Sequence, residues 1–213
     1  VSRRGRALPV RLPLALLACL LLASCWLPDR FVAEVRLARN GDFGLTYDGE
    51  MIWVPLAEAL SKGEIKGEDL QEKIAALSRD LSRDISFTNV AYQGNGRFRV
   101  RYEREGFLKP LDEFIFPRRN NPIITVKTKE DGTAEVRVAG LGSDDKTRIT
   151  DAGLKMTGKF RVVTDAMPYG GNPQAATPRG FRKFMVYDWT IRGINDPPPL
   201  LRLNMTRAVR MPQ

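Results

Sequence analysis

Histidine is absent from the 213 residues, and cysteine occurs only twice, as Cys19 and Cys25. The first absence removes the usual general base, the usual partner of a nucleophilic serine and the commonest transition-metal ligand. The second leaves everything after residue 25 without a disulfide, a thiolate zinc site or a cysteine nucleophile. Long apolar runs are also scarce. Residues 12–23 form a stretch of about a dozen, interrupted by Pro13, well short of the roughly 20 that a helix needs to cross a bilayer. These absences predict a chain that is not an enzyme and that carries no metal or cofactor.

What is present begins with an address. Arg3, Arg4, Arg6 and Arg11 form a basic segment without an acidic residue, and the apolar run follows it. That is the order of an export signal. It closes on Leu22-Ala23-Ser24-Cys25, which resembles the bacterial lipobox: an aliphatic residue, two small ones, then the cysteine that receives a diacylglycerol. Cleavage is expected between Ser24 and Cys25, with lipid on Cys25. Two acyl chains anchor far more durably than one, so the predicted partner is a membrane reached through that anchor. The predicted organisation is a signal peptide over 1–24, a lipidated tether over 25–30 and a single domain over 31–213. Trp26 after the cysteine is not the aspartate retention signal of lipoprotein sorting, which points to the outer membrane in a cell with two membranes. The same Trp26 suits the headgroup level of a bilayer. Removing residues 1–24 lowers the formal charge from +9 to +5, which is not a nucleic-acid-binding balance.

In the rest of the chain, period-two alternation dominates. Phe31, Ala33, Val35 and Leu37 alternate with more polar neighbours up to Asn40-Gly41, and Phe43, Leu45 and Tyr47 continue up to Asp48-Gly49. Two such turns predict a three-stranded antiparallel meander ending at residues 51–54. Pro55 can open a short helix. The main helix is predicted over 68–82, where Leu70, Ile74, Leu77 and Leu81 fall on one stripe. Further strands are predicted over 85–92, 97–102, 123–129, 133–139, 159–164, 183–191 and 200–205. Residues 168–180, rich in Gly, Pro, Asn and Ala, read as a long exposed loop. The expected fold is α+β: a curved antiparallel sheet with one main helix packed on a face.

Few constellations carry chemistry. Ser143-Asp144-Asp145-Lys146 has the S-x-x-K spacing of penicillin-interacting serine enzymes without their companion motifs. Asp144, Asp145 and Asp151 lack the spacing of a calcium loop. The arginine ladder is more distinctive. If Phe98, Val100 and Tyr102 face the core, then Arg97, Arg99 and Arg101 share the opposite face. Guanidinium groups about 7 Å apart along a strand suit lipid phosphates or phosphate-bearing glycans. A solvated outer face balanced by Glu103 and Glu105 accounts for the same pattern.

Two stretches resemble LppM-type bacterial lipoproteins: Phe31-Val32-Ala33-Glu34-Val35 with its Asn40-Gly41-Asp42-Phe43 turn, and Gly158-Lys159-Phe160-Arg161-Val162-Val163-Thr164-Asp165 followed by Tyr187-Asp188-Trp189-Thr190-Ile191. The resemblance covers about a quarter of the chain and implies a non-enzymatic envelope domain with a lipid- or glycolipid-binding sheet. The expected function is a membrane-anchored envelope lipoprotein that binds a lipid, glycolipid or other amphiphile. The alternative is a structural lipoprotein that docks on another envelope protein. An apolar cleft between helix and sheet would favour the first.

Overall fold

The structure, a computed structural model, describes residues 26–180 and 184–209. Strands β1 (Trp26–Leu37) and β2 (Asp42–Trp53) form the first hairpin. Gly41 sits at φ +98, and the Asn40 side chain bridges to Asp42 at 2.8 Å. The predicted turn at Asp48-Gly49 does not form; β2 runs straight through it. The reason lies in β1, which bulges at Arg30 (φ +47) and shifts register between Asp29 and Val32. The bulge presses Phe31 onto the neighbouring strand, where a Cβ at Gly49 would stand 2.4 Å from that of Phe31. Gly49 is there for close approach, not for a turn.

After β2 come α1 (Val54–Ser61), opened by Pro55, and α2 (Gly67–Ser82). Leu77 and Leu81 of the predicted stripe are buried, Leu70 and Ile74 half-buried, and the helix lies against β3 (Phe87–Gly94). The chain continues through β4 (Arg97–Phe107), β5 (Glu113–Arg118), β6 (Asn121–Thr128) and β7 (Thr133–Val138). Helix α3 (Ser143–Asp151) is followed by β8 (Gly158–Thr164), β9 (Ala166–Gly171), β10 (Ala175–Arg179), β11 (Phe184–Ile191) and β12 (Leu200–Ala208).

The strands make two sheets. One has seven strands in the order β10-β11-β8-β1-β2-β4-β3, the other five in the order β5-β6-β7-β12-β9. β1 and β8 pair in parallel, and the other pairs are antiparallel. This corrects the α+β expectation. Strands take up more than half of the described residues, and the helices are short and peripheral. An α+β layout needs a helix to cover a sheet face; here the second sheet supplies the apolar partner surface. Phe116 of β5 lies between Tyr47 and Tyr102 of the larger sheet, at ring-centroid distances of 5.0 and 4.8 Å. Phe43 and Phe114 meet in the same way at 4.6 Å. Rings therefore fill the inter-sheet space as packed core.

One local expectation is also corrected: the predicted loop over 168–180 holds the end of β9 and all of β10. The acidic segment from Ser143 is helix α3. Asp144 and Asp145 favour its first turn, where carboxylates oppose the helix dipole.

Candidate functional site

The arginine ladder lies on β4, whose Phe98, Val100 and Tyr102 are buried in the core. Arg97, Arg99 and Arg101 consequently emerge on the outer face of the larger sheet, and each meets an acid there. β2 runs antiparallel beside β4 and places Glu50 opposite Arg99 and Asp48 opposite Arg101. Arg97 reaches Asp29 and Glu50, both at 3.0 Å. Arg99 and Arg101 share Asp48, the latter at 2.9 Å. Beyond them Arg36 pairs with Glu105 at 2.6 Å, and Arg161 with Asp188 at 2.8 Å. The ladder is thus embedded in a lattice of alternating charges, its cations held by the protein's own carboxylates.

Asp29 anchors that lattice. It is buried, and its carboxylate accepts bonds from the Thr157 amide (3.0 Å), the Thr157 hydroxyl (2.8 Å), the Arg30 amide (3.0 Å) and Arg97 (3.0 Å). Sequence reasoning passed over Asp29, Asp48 and Glu50. The signal that could have found Asp48 and Glu50 is their period-two spacing, which matches the arginines in reach and opposes them in sign.

The other expectations fall as follows. Ser24 and Cys25 lie outside the described residues. Trp26 is 4% exposed, with its ring 4.9 Å from Trp53 and 5.5 Å from Phe98. It is core rather than a side chain at the headgroup level. The expected tether over 25–30 is, from Trp26 onward, part of β1, because Trp26 and Leu27 pair with Trp53 and Ile52. Ser143 is exposed at the start of α3, and its hydroxyl lies 3.2 Å from Asp144 Oδ1. Among the described residues no group of three or more acidic residues is placed to hold a metal ion.

Among the described residues, open grooves mark the surface. One of about 620 Å³ separates α1 from α3, bridged by Arg148 and Glu58 at 2.5 Å. Another of about 680 Å³ lies beside the β4–β5 connection, where Phe107 and Leu111 are more than half exposed and Arg104 stacks over Phe114. A third, about 810 Å³, lies on the five-stranded sheet and is lined by Arg137, Arg202 and Glu135 with Pro122, Pro198 and Gly171.

No family model matches the chain, and no curated protein matches it. Among solved structures it is similar to the folded domain of the LppM protein of Mycobacterium tuberculosis, determined by NMR. The identity is 11%, over 82% of this chain and 88% of that one, with a TM-score of 0.38.

Proposed function

We propose that this chain is a non-catalytic envelope lipoprotein, held on a membrane by lipid on Cys25 and working as a binding scaffold through its outer surfaces. The sequence carries the tether: a basic segment, an apolar run and Leu22-Ala23-Ser24-Cys25 stand in the required order. The filled space between the sheets supports surface binding over an internal cavity, since Tyr47, Tyr102 and Phe116 occupy the volume a buried acyl chain would need. The ligand class that suits such a scaffold is an amphiphile met at the membrane surface. Intact-mass measurement of the protein purified from membranes tests the tether. A diacylglycerol adduct on a chain that begins at Cys25, lost in Cys25→Ser, is the expected result; an unmodified chain would sink it.

A second reading, docking on another envelope protein, is favoured by one feature. Phe107 and Leu111 stand out from the β4–β5 connection with their apolar side chains exposed, and Leu111 is held at φ +69. Exposed apolar side chains on a constrained turn are a common form of contact surface. A photo-crosslinker at position 107 should then trap one protein of defined mass in cells, and recovery of uncrosslinked monomer alone would remove this reading.

A further inference from the structure

The geometry points to a phosphodiester-binding site in the groove on the outer face of the five-stranded sheet, centred on Arg137 and Arg202. The strand register brings the charges together. Lys127 and Arg202 stand on either side of Glu135, while Thr125 and Leu200 flank Arg137. Lys127 faces Glu113 on its other side and lines a different groove, so this one holds two arginines to the single carboxylate of Glu135. The ion pair found among these three is Arg202–Glu135 at 3.2 Å. Arg137 is exposed, and among the described residues it has no carboxylate partner. The contrast with the larger sheet is direct: Arg97, Arg99 and Arg101 are all held by acids, whereas this face keeps an excess of positive charge.

Shape adds to charge. Pro122 and Pro198 provide apolar walls, and Gly171, at φ +139, lets β9 approach β12 closely beside them, since a Cβ there would lie 2.4 Å from the Leu200 carbonyl oxygen. The volume of about 810 Å³ falls in the range typical of small-ligand sites, about 300–1,000 Å³. Arg137 and Arg202 are diagonal neighbours across β7 and β12, so their Cβ atoms are roughly 7 Å apart. A tetrahedral diester presents two free oxygens in different directions and can be bridged by both guanidinium groups. The proline walls suit the aliphatic part that follows the phosphate. The source of that diester as a membrane phospholipid rests on the tether proposed above; the site itself does not.

The test is calorimetric titration of the full-length protein in mild detergent. The probes are phosphatidylglycerol in mixed micelles, soluble glycerophosphoglycerol, and diacylglycerol in the same micelles as the comparison that lacks the phosphate. Phosphatidylglycerol is expected to bind, and Arg137→Gln to weaken it about tenfold, the scale of one charge-assisted contact. Arg192→Gln, at an exposed arginine in the β11–β12 connection, should leave binding unchanged. Equal affinity for the soluble diester would uphold the site and assign it to a free ligand instead of a lipid. Equal affinity for diacylglycerol, no binding of either diester, or unaltered binding by Arg137→Gln would overturn the proposal. Intact mass on the same preparation reports lipid on Cys25 separately, so failure of the tether and failure of the site are distinguishable.

Discussion

Asp29 shows how much one side chain can organise. Its carboxylate collects donors from the β1 bulge, from β4 and from the connection before β8, all in a buried position. Asp29→Ala would leave the Thr157 amide and the Arg97 guanidinium without their acceptor, a loss expected to be about 3 kcal/mol by urea denaturation. Asp29→Asn keeps one acceptor oxygen and should lose less. Tyr47 offers a second test at the same scale. Burial, followed by the charge of Asp29, pushes its phenol well above the ordinary tyrosine range, and its hydroxyl donates to the Glu50 carbonyl at 2.8 Å. Burial also raises Tyr102 and Tyr187. A group whose folded pKa is raised binds its proton more tightly when folded. Its contribution is therefore complete below the unfolded value, about 10 for tyrosine, and is lost as pH rises from there through the folded value. Stability should hold up to about pH 10 and fall above it, with the Tyr47 phenolate absorbance emerging only together with unfolding. Phenolate absorbance from Tyr47 in a still-folded protein would contradict its burial.

At the scale of elements, what the sequence announced and what it concealed divide along one physical line. Strands inside the sheets, such as β1, β7, β8 and β11, carry alternating or continuous apolar residues and could be placed from pattern alone. The missed strands β5, β9 and β10 are all edges. They hold Pro117, Pro168, Gly170, Gly171 and Pro178, residues that read as loop because they cannot complete a central ladder. An edge strand tolerates them, since one side needs no hydrogen-bonding partner. Beside the end of β11, the Gln174 side chain bonds the Thr190 amide and carbonyl at 2.9 and 3.1 Å, standing in for backbone in a way no pattern of residues announces. The candidate site divides similarly. The ladder Arg97, Arg99 and Arg101 was visible from period two, but its neutralisation depended on β2 running through Asp48-Gly49. The Arg137–Arg202 groove needed the pairing of β7 with β12, two strands more than sixty residues apart. Concealed edge strands still contribute to the core through the residues they turn inward. Phe116→Ala would open a void between Tyr47 and Tyr102 and is expected to cost about 3–5 kcal/mol, measured as a lower urea midpoint with an unchanged slope. A smaller loss would mean that the sheets close over the gap.

At the scale of the whole molecule, the point of consequence is where the fold begins. Alternation suggested a domain starting at Phe31 behind a short tether, yet residues 26–29 are buried strand. Trp26 packs against Trp53 and edge-on to Phe98, Leu27 is fully buried opposite Ile52, and Asp29 holds four donors. Full burial of large apolar side chains is worth about 1.5–3 kcal/mol each, and the Asp29 cluster adds an amount like that argued above. Together these approach the whole stability of a typical domain, about 5–15 kcal/mol. A chain starting at Trp26 should therefore fold cooperatively, while one starting at Phe31 should not, although the two differ by only five residues. Circular dichroism with near-ultraviolet tryptophan signals decides between them: fixed aromatic signals from the shorter chain would show that β1 begins later than Trp26. The folded outcome for the longer chain alone has a corollary for the tether. Lipid on Cys25 would then be attached one residue from the sheet, with no slack between anchor and domain. Membrane attachment would hold the Trp26 end of the sandwich against the headgroups, and a flexible insertion between Cys25 and Trp26 should loosen that orientation without altering the unfolding midpoint.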